Sequence, residues 1–228
     1  MNNEEQQRLE SEASQMERLY NNGQYVDLET LARAFVERQP GLGFGWSVLG
    51  ASLQFQGKDA VPALRKAAQL LPDDPVAHSN LGDALQSLGQ YDVAVAHYLL
   101  ALKLDPNAAA THVNLGNALK AQGQLANAEK SYKQALRLQP EFAEAYYNLG
   151  ITLKDLRRLD EAETNLRQAI QINTHFGAAY VELGATLQEM GRLSDAEAIF
   201  REAIEVMPML AQAHANLGAT LRALRTYP

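Results

Sequence analysis

The sequence predicts an all-α protein, a solenoid of stacked antiparallel helix hairpins, and two observations support this. The dipeptide Leu-Gly recurs every 34 residues, from Leu81-Gly82 to Leu217-Gly218. Alanines recur with the same period in two more series, one starting at Ala94 and the other at Ala101. A fixed period of this length indicates one supersecondary unit repeated along the chain, which buries its apolar face only against its neighbours.

Within each unit the pattern predicts a helix, a turn and a second helix. If Leu-Gly occupies positions 7 and 8, apolar residues fall at positions 4, 7, 8 and 11, which share one helical face. Gly89, Gly123 and Gly191 occupy position 15, where a helix end favours a residue that tolerates positive φ. Proline at position 32 ends the second helix. Small residues at positions 8, 20 and 27 predict close helix crossings, filled by the side chain at position 24: Tyr98, Tyr132, Leu166 and Phe200.

The period divides the chain into four predicted regions. Residues 1–42 contain a degenerate first unit, 43–74 a short unit, 75–210 four full units, and 211–228 the first helix of a further unit. The unit 43–74 lacks two residues, which we place at its internal turn.

Some positions depart from the repeat. Arg157 and Arg225 replace glycine at position 15, which predicts two strained turns. The final unit stops at position 18, and Tyr227 falls where a second helix would begin. We therefore expect a longer protein beyond this sequence. We also expect association through the unpaired C-terminal helix, whose apolar stripe comprises Leu217, Leu221 and Leu224.

The repeat resembles that of the tetratricopeptide family, whose motif has Trp, Leu-Gly and Tyr in the first helix, then Ala, Phe and Pro. Trp46, Leu49 and Gly50 carry the first part here, and Ala94, Tyr98, Ala101 and Pro106 the second. The resemblance implies a right-handed superhelix with a concave groove that binds other polypeptides.

The amino-acid composition limits the classes of partner that we expect. The chain has 20 basic and 27 acidic residues, a net charge of -7, and no basic run. Binding to nucleic acid or to an anionic membrane surface needs clustered Lys and Arg, so neither is expected. The chain has no cysteine, no secretory signal and no apolar run long enough to span a membrane. We expect a cytoplasmic protein.

The face of the first helix opposite the core is the predicted binding surface, since positions 2, 6, 9 and 13 lie there. Position 6 carries asparagine in four units, and an amide there can donate to and accept from a peptide backbone. This ladder resembles the superhelix of O-linked N-acetylglucosamine transferases. Shared ancestry of the units would equally explain it. The candidate peptide-binding residues are Asn80, Asn114, Asn148, Glu182, Asn216, Asp83, Asn117, Tyr147, Lys120 and Lys154.

No catalytic or metal-binding motif is present, so we predict a binding module, without cofactor or metal, and not an enzyme. His78, His112 and His214 share position 4, which predicts packing, and His97 and His175 lie at unrelated positions. Two alternatives remain open. One is a substrate-recruiting region of a glycosyltransferase, and the other is a self-assembling scaffold.

Overall fold

A computed structural model describes residues 3–226, which form thirteen α-helices and no strand. The chain divides into two compact units, Met1–Pro106 and Asn107–Pro228. The first unit consists of three hairpins, whose helices are α1 (Asn3–Asn21), α2 (Tyr25–Arg38), α3 (Gly43–Phe55), α4 (Val61–Leu70), α5 (Pro75–Ser87) and α6 (Tyr91–Leu104). Each helix packs on the next, and α3 also contacts α5.

The second unit repeats this arrangement. Its helices are α7 (Ala109–Ala121), α8 (Leu125–Leu138), α9 (Ala143–Asp155), α10 (Leu159–Ile172), α11 (Gly177–Glu189), α12 (Leu193–Val206) and α13 (Ala211–Thr226). Consecutive helices pack together, and the first helices of neighbouring hairpins also touch, α7 on α9, α9 on α11 and α11 on α13. The predicted fold class is confirmed.

The helix crossings pair a glycine with a large side chain. A Cβ atom added to Gly116 would lie 2.5 Å from Cε1 of Tyr132, and one added to Gly184 would lie 2.2 Å from Cζ of Phe200. Both rings are fully buried. Position 8 must therefore lack a side chain because the position 24 ring occupies that space, as the sequence predicts.

The hairpin turns use positive φ at position 15. Gly89, Gly123 and Gly191 have φ between 71° and 75°, and Arg157 has φ 61°. The strained turn predicted at Arg157 is thus present. The one predicted at Arg225 is wrong, because α13 continues through that residue to Thr226. Tyr227 lies outside the described residues.

The short unit differs from the others both at its internal turn and in its second helix. Helix α4 has 10 residues, whereas the second helix of the other full hairpins has 14, and the turn before α4 spans residues 56–60, whereas the turn before α6 spans only 88–90. The placement of the two missing residues at the turn stays a prediction. In the turn before α4, Oδ1 of Asp59 accepts a hydrogen bond at 3.1 Å from the backbone N–H of Val61, the first helical residue. Pro62 then occupies the first helical turn, where its missing N–H costs nothing.

A ring at position 4 ties some hairpins to the preceding one. The indole N–H of Trp46 donates to the carbonyl of Pro40 at 2.9 Å. The Nε2 of His78 lies 3.0 Å from the carbonyl of Pro72, and the Nε2 of His214 lies 2.8 Å from that of Pro208. A carbonyl only accepts, so each Nε2 carries the proton. His78 is buried as predicted, whereas His214 is exposed.

The C-terminal helix α13 packs on α11 and α12. Leu217 contacts the core that these helices share, and Leu221 and Leu224 are half-buried. Of the helices described, none has the length and apolar character needed to cross a membrane.

Candidate functional site

A groove of about 770 Å³ opens in the second unit on the face of α7 and α9 opposite the core. The contacts between α7 and α9 and between α9 and α11 make this surface continuous. Four of the predicted residues meet here, together with five that border them. The lining consists of Asn117, Lys120, Phe142, Ala143, Glu144, Tyr147, Asn148, Asn173 and Phe176.

Asn148 lines the groove, and 8% of its surface is exposed. Its backbone carbonyl accepts a hydrogen bond from Thr152 Oγ1 at 2.8 Å, but its side-chain amide has no partner within the described residues. Within residues 3–226, every side-chain nitrogen or oxygen that is fully shielded from solvent has a hydrogen-bond partner. The amide therefore reaches solvent, and it does so at the groove that it lines.

Asn117 is held by a tyrosine from the second helix of its hairpin. The hydroxyl of Tyr132 donates to Oδ1 of Asn117 at 2.7 Å. Burial raises the pKa of Tyr132, so the phenol keeps its proton and remains the donor. Because the oxygen is occupied from the core side, the Asn117 NH₂ group is the part of the amide left for a ligand.

Lys120 is the cation of the groove. Burial lowers the pKa of its ammonium group, and the nearby carboxylates of Asp155 and Glu182 act in the opposite direction. Neither carboxylate comes within ion-pair distance of it. Lys120 thus combines partial desolvation with free donor capacity, a setting in which a ligand oxygen would be bound more strongly than on an open surface.

Two predicted residues pair with each other. The ammonium of Lys154 on α9 donates to Oε2 of Glu182 on α11. Both side chains are less than one-third exposed. Glu182 breaks the series of asparagines at position 6, and the pairing explains its charge: it neutralises Lys154 and joins two first helices.

The groove has an aromatic wall that sequence reasoning did not identify. Phe142 and Phe176 lie in the loops before α9 and α11. The ring of Phe176 packs on that of Tyr147, with centroids 4.8 Å apart. Burial raises the pKa of Tyr147, with the charge of Glu182 adding to the effect. Both phenylalanines occupy position 34, and their spacing of one period was a signal available in the sequence.

The other predicted residues do not line this groove. Asn114 on α7 and Asn216 on α13 are half-buried elsewhere along the same helical face. In the first unit, Asn80 borders a separate and more apolar groove of about 420 Å³ formed by α1, α3 and α5. Asp83 accepts a hydrogen bond from the Tyr98 hydroxyl at 2.7 Å, the same arrangement as that of Asn117 with Tyr132. Within residues 3–226 no cluster of three or more His, Asp or Glu side chains is placed to hold a metal ion.

The repeated hairpins and their glycine–aromatic crossings define a tetratricopeptide-repeat scaffold. More particularly, the family model for the Cilia and flagella-associated protein 70 C-terminal domain matches residues 46–228, and the chain belongs to this family.

Solved structures share the fold. PilW, a type IV pilus biogenesis factor, has a TM-score of 0.83 at 19% identity, covering 91% of this chain and 97% of that chain. MamA from Desulfovibrio magneticus RS-1 has a TM-score of 0.67 at 22% identity, covering 72% and 94%. YrrB, described as a tetratricopeptide-repeat protein with an unusual peptide-binding site, has a TM-score of 0.61 at 28% identity, covering 73% and 86%. No curated protein sequence matches the chain.

Proposed function

We propose that the chain is a protein-interaction module whose second unit binds an extended peptide in the groove between α7 and α9. The observation that carries this proposal is the Asn148 amide, which is almost fully buried and unpaired within the protein. An amide in this state gains most from a ligand that both donates and accepts, and a peptide backbone does both. We propose binding rather than catalysis as the role of this surface.

The surroundings of Asn148 suit a main chain. Asn117 presents its NH₂ group on the neighbouring helix, because its oxygen is held by Tyr132. Lys120 adds a partly desolvated ammonium group that can bind a peptide carbonyl or an acidic side chain. Asn117 and Lys120 border the groove from α7, and Asn148 borders it from α9. A bound segment would therefore meet donors on both of these helices.

The aromatic wall supplies the apolar part of the interaction. Phe142, Tyr147 and Phe176 face the groove from α9 and the two flanking loops. Burying an apolar side chain against such a wall contributes about 1.5–3 kcal/mol, more than any one of the hydrogen bonds. We therefore expect a ligand with an aliphatic or aromatic residue beside an extended stretch of backbone. YrrB, whose description names a peptide-binding site, supports a peptide ligand as the class.

The charges of the site set a further preference. Glu182 and Lys154 form an ion pair, so neither of them presents an unpaired charge to a ligand. Lys120 and Glu144 remain, one of each sign. A ligand of mixed charge fits this arrangement. The cytoplasmic location expected from the sequence stays a prediction.

The test is selection of random linear peptides displayed on phage against the immobilised chain. Selected peptides should bind the parent and an Asn117→Ala/Asn148→Ala double variant with affinities that differ by about 5- to 100-fold, which corresponds to the loss of two hydrogen bonds. Asn216→Ala is the control matched to Asn148→Ala, because it removes the same side chain at the same repeat position but outside the groove.

Circular dichroism should give the same helical content for all three proteins. The proposal fails if no peptide is enriched, or if the double variant binds as tightly as the control.

A further inference from the structure

Helix α3 in the first unit is apolar on the face turned away from its core. That face carries four apolar residues at repeat positions 2, 6, 9 and 13, in order Phe44, Val48, Ala51 and Phe55. The first three line the groove of about 420 Å³ that α1, α3 and α5 form. The ring of Phe55 packs edge-on against that of Tyr20, which also lines the groove, with centroids 5.6 Å apart. The stripe is therefore eleven residues long, which is about 16 Å or three turns of helix.

The repeat itself does not need this stripe. The first helices that follow carry polar residues at position 6, where Val48 stands in α3: Asn80, Asn114, Asn148, Glu182 and Asn216. At position 13, where Phe55 stands, α5, α9 and α11 carry Ser87, Asp155 and Glu189. The same helix is thus built elsewhere with a polar outer face. Because Phe44 and Phe55 of α3 are 44% and 57% exposed, the stripe has the character of a surface that a partner covers.

The edge of this groove on α1 is negatively charged. Among the residues that line the groove in the described part of the chain, Glu17 alone carries a charge. Glu10 lies seven residues earlier on nearly the same face of α1, about 10.5 Å away along the axis. Nε2 of Gln6 donates to Oε1 of Glu10 at 3.1 Å, and neither carboxylate forms an ion pair with a Lys or Arg of residues 3–226.

Positive charge is scarce around these two carboxylates. Helices α3 and α5 contain no Lys or Arg. On α1, Arg8 lies on the opposite side of the helix from Glu17, because nine residues make two and a half turns. Arg18 donates from Nε to the backbone carbonyl of Ser14 on its own helix. The first unit has 8 basic and 14 acidic residues, a net charge of -6, whereas the second has 12 and 13. The charge that complements this groove is therefore positive.

We propose that the groove binds an amphipathic, basic helix of a partner protein, whose apolar face lies on α3 and whose basic residues point toward α1. The stripe on α3 offers no side chain that forms hydrogen bonds, so an extended segment laid along it would leave backbone groups without partners. A helix satisfies its backbone internally, and three turns of it match the length of the stripe. Basic residues seven apart on that helix match the spacing of Glu10 and Glu17. No residue of the second unit takes part in this site.

Fluorescence anisotropy of a labelled model peptide, titrated with the 228-residue chain, tests the proposal. The probe is a helix-forming peptide of leucine and lysine, about 18 residues or five turns long, with leucine on one face. One matched peptide has glutamate in place of every lysine, and another has two central prolines. The leucine–lysine probe should bind the parent and the glutamate peptide should not. The proline peptide should bind at least about tenfold more weakly, because proline breaks the helix. A probe that does not bind, or a matched peptide that binds equally well, overturns the proposal.

A single substitution on α3 locates the site. Val48→Asn should weaken binding of the probe by about tenfold, which corresponds to the lost burial of one aliphatic side chain. It carries the residue of α5 and α7 at this repeat position, so circular dichroism should show unchanged helical content. Val26→Asn makes the same change on α2, where the side chain is 66% exposed outside the groove, and it should bind as the parent does. Equal weakening in both variants would place the probe elsewhere and overturn the proposal.

A change of charge on α1 tests the preference for a basic ligand. Glu17→Gln should weaken binding of the probe by about two- to fivefold, and high salt should remove the difference. Glu37→Gln on α2, also exposed and in the same unit, is the matched control and should bind as the parent does. Equal affinities of these two variants would show that Glu17 does not meet the ligand, contrary to the proposal.

Two other occupants of the groove or the probe would give different results. Asn117→Ala/Asn148→Ala should bind the probe as tightly as the parent does. If that variant loses the probe and Val48→Asn keeps it, the probe occupies the groove of the second unit and the proposal is wrong. Self-association of the parent in sedimentation velocity that Val48→Asn abolishes would assign the groove to a second copy and would overturn the proposal as well.

Discussion

The Nδ1 atoms of His78 and His97 lie 3.3 Å apart in the first unit, on rings stacked with centroids 5.6 Å apart. In the neutral tautomer of His78 that donates from Nε2 to the carbonyl of Pro72, Nδ1 accepts. His97 then donates to it from its own Nδ1. The sequence placed His97 at an unrelated repeat position, whereas the structure makes it the partner of a core histidine.

Acidic pH should destabilise the chain through this pair. Burial, His78 and Arg65 of α4 together hold the pKa of His97 below its ordinary value of 6.5. As the pH falls, the unfolded chain therefore binds a proton at His97 before the folded chain does. The stabilisation that neutral His97 provides is complete above pH 6.5, and it is lost as the pH falls through the lower pKa of His97 in the folded state. Urea unfolding at a series of pH values should show this slope. In His97→Ser, which carries the residue of α8 at this position, the slope should be smaller; equal slopes would show that another group is responsible.

The glycines of position 8 should respond in opposite ways to the same substitution. Gly116→Ala places a Cβ atom 2.5 Å from the buried ring of Tyr132 and should lower the free energy of unfolding by about 1–3 kcal/mol. Gly218 has no neighbouring atom within 4 Å, so Gly218→Ala should raise it by up to about 1 kcal/mol through helix propensity. Urea denaturation of both variants measures the difference. Shifts of the same sign would mean that the ring contact does not set the requirement for glycine.

Replacing Arg157 with glycine should raise the free energy of unfolding, because it relieves strain in the turn. A non-glycine residue in the left-handed region costs roughly 1 kcal/mol, and Arg157 has φ 61°. Its ion pair with Glu189 at 2.9 Å involves an arginine side chain that is 79% exposed, so that pair contributes little. Arg157→Gly should therefore gain about 0.5–1 kcal/mol in a thermal or urea unfolding experiment. Arg157→Ala removes the same ion pair but keeps the strain, and it should gain nothing; a gain of equal size in both would place the effect elsewhere.

The sequence predicts the parts of the structure that repeat. Gly116 opposite Tyr132 and Gly184 opposite Phe200 follow from positions 8 and 24, because a period of 34 residues reports which residues face the shared core. The period also locates the turn at Arg157. It fails at Arg225, since a turn forms only where a second helix folds back, and α13 runs on to Thr226.

Less of the candidate site could be predicted from the repeat. Helical periodicity places Asn117, Lys120 and Asn148 on one face, and the groove does bring them together. It says nothing of Phe142, whose position in a loop is set by how the chain leaves one helix and enters the next. The Lys154–Glu182 pair likewise depends on the distance between α9 and α11, which no single helix encodes.

The ring at position 4 has a consequence for how the groove is built. Trp46, His78 and His214 each fasten the start of a first helix to the proline carbonyl before it. Tyr146 and Tyr180 stand at this position in α9 and α11, and neither forms that hydrogen bond. The loops ahead of these two helices are the ones that carry Phe142 and Phe176. The aromatic wall is therefore carried by two junctions that lack this side-chain bond, whereas the amide and ammonium donors of the groove lie within the helices α7 and α9.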